Sequence, residues 1–154
     1  MKPDELREEV AIELEAMAQV IDELLALQRD VAKREPTLRE KTAAAAFLAQ
    51  FYNGIENILK RISLYHGVSL PGGEAWHVEL FQRFSSSLYP GLPLLFDDKL
   101  ASTLAPYRRF RHVAFHSYGF QLAWERMAEG VAGVQRAFDG FKSSVSKYLQ
   151  EIGE

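Results

Sequence analysis

The chain of 154 residues contains no cysteine. A disulfide framework and a thiolate metal site are therefore both excluded. Its apolar runs fall far short of the roughly 20 residues that a membrane-spanning helix requires. No charged and apolar leader pattern opens the sequence, so a cytoplasmic location without membrane attachment is the expectation. The four histidines show neither H-E-x-x-H spacing nor any cysteine partner, which argues against metal catalysis, and no cofactor is expected. With 47% hydrophobic and 25% charged residues, what remains is enough to bury one core, and a single domain over residues 1–154 is expected.

Strong positive charge is also lacking, since the net charge is −3. Its distribution is uneven. Residues 1–35 hold ten acidic and five basic side chains, net −5, leaving 13 basic against 11 acidic, net +2, in the rest. Such a body suits a local phosphate-binding patch and not a broad nucleic-acid surface, because counterion release scales with the phosphates neutralised.

Helical periodicity dominates what is present. Pro3 and Asp4 open a first helix running to about Arg34, with an apolar stripe of Leu6, Val10, Leu14, Met17, Val20, Ile21, Leu24, Leu27 and Val31 and a solvated, Glu-rich opposite face. Glu35 and Pro36 break it. Thr37 with Glu40 reads as a capping box for a second helix, whose stripe is Leu48, Phe51, Tyr52, Ile55, Ile58, Leu59, Ile62 and Tyr65, ending at His66 and Gly67. Gly54 inside that stripe suggests close approach of another helix, with the one carrying Arg111 as the candidate, since glycine otherwise costs about 1 kcal/mol there. Beside it, Glu56 reads as a surface or inter-helix hydrogen-bonding group, or as one that orients a catalytic side chain.

A short helix is expected over Glu74 to Ser86, packing through Trp76, Leu80, Phe81 and Phe84. His77 and His66 read as structural or exposed. After a Pro/Gly loop at 89–93, Asp97 and Asp98 begin a helix with Leu100, Leu104, Tyr107, Phe110 and Phe115 on its apolar side, which Pro106 either kinks or splits. Gly119 suggests a turn, Gln121 to Ala128 a short helical piece, and Val131, Val134, Phe138, Phe141, Val145, Tyr148, Leu149 and Ile152 a last long helix. The fold class is all-α, an up-down bundle of four main helices plus short ones.

The densest chemistry lies at 107–118, Y-R-R-F-R-H-V-A-F-H-S-Y, where Arg111, His116 and Tyr118 spell R-x4-H-x-Y. Residues five apart differ by about 140° on a helix, so Arg111 and His116 do not share a face, whereas Arg108, His112 and His116 nearly do. Either Arg111 reaches round, or its partner comes from elsewhere.

This motif resembles the HEPN superfamily of small helical ribonucleases. F-Y-N-G-I-E-N-I-L-K-R-I at 51–62, L-P-G-G-E-A-W-H at 70–77 and Y-G-F-Q-L-A-W-E-R-M at 118–127 are similar to its HepT-type toxin branch, in the expected order. The resemblance covers most of the chain, least distinctly the first 35 residues. It implies a metal-independent endoribonuclease toxin, cutting RNA, with transfer RNA the family-based target. It also implies Arg111 and His116 as the catalytic pair, a homodimer joining two copies of the motif in one cleft, and a nucleotidyltransferase antitoxin that adenylylates Tyr118. Residue chemistry fits these roles. Histidine exchanges protons near neutrality, and arginine offers a permanent cationic fork to phosphate, with Arg108 and His112 in support. The alternative is a noncatalytic nucleotide-binding or adaptor subunit of a nucleotidyltransferase.

Overall fold

The computed structural model describes residues 1–85, 89–118 and 121–153, and among them every regular element is helical. Five α-helices follow in order: α1 Pro3–Asp30, α2 Leu38–Tyr65, α3 Trp76–Arg83, α4 Asp98–Phe115 and α5 Trp124–Glu151. The all-α expectation holds, with four long helices; of the short ones expected, α3 alone forms as a separate helix among the described residues. Ser86, where the short helix is expected to end, and Gly119, where a turn is expected, lie outside the described residues.

Helix α2 is the central element, in contact with each of the other four. Its capping box forms as the sequence implies. Thr37 accepts from the Glu40 amide, and the Glu40 carboxylate accepts from the Thr37 amide at 2.9 Å. Arg34 grips the same carboxylate through two hydrogen bonds of 2.7 Å, and with the Thr37 amide this lowers its pKa to about 2. Along α2, Leu48, Phe51, Tyr52, Ile55, Ile58, Leu59 and Ile62 are all buried, so a wide apolar face meets helices on several sides.

Helix α1 buries Leu6, Val10, Met17, Ile21, Leu24 and Leu27 and ends at Asp30, earlier than its periodicity suggests. Residues 31–34 turn toward Pro36, whose ring disfavours helix at the residue before it. Its acidic side is not wholly solvated, because Glu9 and Glu13 hold Arg61 of α2 at 2.8 and 3.2 Å. Gly54 does mark a close approach, but by α1 and not by α4. A Cβ at Gly54 would collide with Cγ and Sδ of Met17.

Pro106 neither splits nor ends α4, which runs through it from its Asp97 cap to Phe115. Phe115 is exposed and not part of the apolar side. The expected short piece at 121–128 is instead continuous with the last helix from Trp124 onward. Gly133 within that stretch lets Tyr107 lie against it. Its hydroxyl donates to the Gly130 carbonyl at 2.7 Å, and a Cβ on Gly133 would stand 3.3 Å from that oxygen. This contact fixes α4 against α5. At the far end of α5, Arg7 donates to the carbonyls of Leu149 and Ile152 at 2.9 and 2.8 Å, satisfying helix-end acceptors that have no partner within the helix.

Candidate active site

Helices α2, α3 and α4 converge on a buried polar cluster. Glu56, on the core-facing stripe of α2, is only 2% exposed. A carboxylate so enclosed requires compensating donors, and two other helices supply them. His77 of α3 reaches one oxygen, Nδ1 to Oε2 at 2.6 Å, and Arg111 of α4 reaches the other, Nε to Oε1 at 3.1 Å. Asn53, one turn before Glu56, accepts a short hydrogen bond from the same Arg111 Nε. Arg111 Nη1 stands 3.3 Å from both ring nitrogens of His77. An in-plane approach equidistant from both would drive it into Cε1, so it lies over the ring face. The guanidinium also packs on Phe115, 4.7 Å from its centroid.

A cleft of about 400 Å³ opens onto this cluster, lined among others by Tyr52, Glu74, His77, Arg108, Arg111 and His112. Cationic and imidazole groups thus face the single carboxylate of Glu74. Two donors in its wall, the Tyr52 hydroxyl and Arg108 Nε, are buried without a hydrogen-bond partner among the described residues. Burial raises the pKa of the Tyr52 phenol, with the nearby Glu56 charge adding to the effect, so it remains a donor across the physiological range.

Of the residues singled out from the sequence, Arg108, Arg111 and His112 share this cleft. His116 does not line it. It forms the exposed C-cap of α4, its ring 4.7 Å from that of His112. The 140° separation is therefore real within the chain: Arg111 turns inward to Glu56 while His116 stays at the helix end. Tyr118 follows, 71% exposed, with its amide donating to Gln121 Oε1 at 2.9 Å.

Sequence reasoning set His77 aside as structural or exposed, yet it belongs to the cluster. Its signal was indirect, an Asn53/Glu56 pair one turn apart on a helix face that is otherwise apolar and needs polar partners from other helices. The inter-helix hydrogen-bonding reading of Glu56 does hold. His66 keeps the structural role assigned to it. Its Nε2 meets the Tyr148 hydroxyl at 2.5 Å, and burial lowers its pKa.

No curated protein and no solved structure matches the chain. The family model described as HepT-like protein matches residues 43–152, a span that takes in most of α2, all of α3 to α5 and every member of the polar cluster. The chain is thus a member of the HepT-like family within the HEPN superfamily.

Proposed function

We propose that this protein is a metal-independent endoribonuclease toxin that cuts single-stranded sites in RNA, transfer RNA among them. The observation that carries the reading is the convergence of Arg108, Arg111, His77 and His112 on one cleft with unsatisfied donors in its wall. Such a site suits an oxyanion. Arginine forks bind phosphate oxygens and stabilise the charge that grows on them as the 2′-oxygen attacks. Histidines move the protons. Arg111 is the phosphate-binding member of the catalytic pair, Arg108 and His112 support it, and His116 protonates the leaving 5′-oxygen. The products are a 2′,3′-cyclic phosphate and a 5′-hydroxyl, and DNA is not a substrate.

His116 stands outside the cleft of its own protomer, and exposed apolar side chains, Val113 and Phe115, surround the end of α4. A homodimer pairing these ends brings His116 of one copy toward the cleft of the other. Tyr118, exposed beside His116, is open to adenylylation by a partner nucleotidyltransferase antitoxin. The added phosphodiester then competes for the arginines and silences the site.

The test is incubation of purified protein with total cellular RNA in chelator, followed by mapping of the cut ends. Cleavage with cyclic-phosphate ends is expected, lowered roughly 10²-fold or more by Arg111→Ala or His116→Ala. Unchanged cleavage in both folded variants refutes the residue assignment. Oligonucleotide binding without any cleavage by the wild type points instead to a noncatalytic nucleotide-binding subunit.

A further inference from the structure

Ribose 2′-hydroxyl attack requires two proton movements at one phosphate, and the R-x4-H motif supplies one histidine for them. His77 is the second histidine in position. Its Nδ1 faces Glu56 Oε2 at 2.6 Å, and a carboxylate only accepts, so the ring hydrogen sits on Nδ1. In the neutral ring the lone pair is then on Nε2. Arg111 Nη1 lies over the ring face, an arrangement that suits a neutral ring and repels a charged one. The imidazole is further fixed by Trp76, whose ring centroid is 3.4 Å away, with Lys60 4.3 Å from the Trp76 centroid. Its orientation is thus set by α2, α3 and α4 together.

The surroundings of His77 also indicate what occupies the space beside it. The Tyr52 hydroxyl and Arg108 Nε line the same cleft, buried and lacking acceptors. Buried donors left unsatisfied are costly, and a ligand rich in acceptor oxygens relieves that cost. The charged and titratable groups around the ring are Glu56 from α2, Arg108, Arg109, Arg111 and His112 from α4, and Glu74 from the segment before α3. The excess is cationic. His112 lines the cleft too, while His116, its ring 4.7 Å from that of His112, stands beyond the cleft of its own chain.

We infer that His77 is the general base of this cleft and that Glu56 is its positioning residue, an inference that rests on the RNA-cleavage reading above. His77 Nε2 takes the 2′-hydroxyl proton, the 2′-oxygen bonds to phosphorus, and the bond from phosphorus to the 5′-oxygen breaks. The protonated His116 of the second copy gives its proton to that 5′-oxygen. One proton is gained and one released, so the histidines return to their starting states by exchange with water. Arg111 and Arg108 hold the non-bridging phosphate oxygens. His77 thereby acts as a catalytic residue, while Glu56 acts through it.

The experiment measures cleavage of a single-stranded RNA oligonucleotide in chelator across about pH 5 to 9, where a base and an acid give a bell-shaped profile. His77→Gln is expected to lower kcat roughly 10²-fold with KM little changed and to remove the acidic limb of the profile, whereas His116→Ala removes the alkaline limb. His77→Gly is expected to regain activity on addition of imidazole, which a purely structural histidine does not do, and Glu56→Gln to lower kcat without such rescue. A folded His77→Gln with wild-type rate and profile overturns the inference and leaves the RNA-cleavage reading standing. Failure of the wild type to cleave removes both. Where the His77 variants do not fold, ring-nitrogen resonances of the wild type with an uncleavable 2′-O-methyl oligonucleotide decide the matter. A bound oligonucleotide is expected to shift the His77 Nε2 signal, and an unmoved signal overturns the assignment.

Discussion

Replacing Arg111 by alanine tests the cluster as a structural unit before any question of catalysis. The substitution leaves Glu56, with its side chain 3% exposed, facing only His77 and without its permanent cation. Removing one partner of a buried ion pair costs about 3–5 kcal/mol, because the remaining charge keeps its desolvation penalty and loses its compensation. His77 still donates to Glu56, and Arg111 is itself 17% exposed, so the lower end of that range, about 3 kcal/mol, applies. For a chain of this length 1 kcal/mol corresponds to about 2–4 °C, giving a Tm lower by about 6–12 °C. Neutralising the stranded charge reverses part of the loss. Arg111→Ala combined with Glu56→Gln is expected to be more stable than the two single effects summed, with a coupling of about 0.5–3 kcal/mol. Lysine at the same position is expected to recover only part of the stability, since a single ammonium group cannot address Glu56, Asn53 and the His77 ring together. Thermal denaturation followed by circular dichroism, with the wild type, Arg111→Ala, Glu56→Gln, the double variant and Arg111→Lys in one buffer, provides the values. A Tm for Arg111→Ala within 1 °C or so of the wild type, or strict additivity in the double variant, refutes the buried-pair reasoning. The result also sets the temperature at which Arg111→Ala can be assayed for cleavage while folded.

Three further perturbations probe the frame that holds the site. Gly54→Ala gains roughly 1 kcal/mol of helix propensity but collides with Met17 near the middle of that side chain, so a net loss of about 1–2 kcal/mol is expected, read as a lower urea midpoint and softened by Met17→Ala in the same chain. Thr37→Ala removes the acceptor of the Glu40 amide and is expected to cost about 1 kcal/mol, a Tm drop of about 2–4 °C, with cleavage unaffected. His66, lowered by burial against Tyr148, is neutral in both states above its ordinary value of about 6.5, and below it the unfolded chain binds the proton first. Stability is therefore complete above that value and falls as pH drops through the window beneath it, and His66→Gln is expected to flatten this part of the Tm-against-pH curve.

The helices and their faces were determined locally and so were legible in the sequence. Thr37 and Glu40 set a boundary through bonds made within one turn, and the apolar periods of α1, α2 and α5 named the large side chains those helices bury, Met127 excepted. Arg111 and His112 stood out by residue type alone, and the mismatch between Arg111 and His116 followed from helix geometry. Other features depended on what another helix brings. Gly54 announced a close approach but not by whom, and Met17 is 37 positions away in the chain. Nothing local accounts for Gly133 inside α5, and only the packed structure puts the Tyr107 hydroxyl beside it. His77 has no local mark of function, because its role comes from a carboxylate on α2 and a guanidinium on α4. A buried charge is tolerable only where partners converge on it from several elements. Such convergence is a property of the packed bundle and of no single stretch of chain.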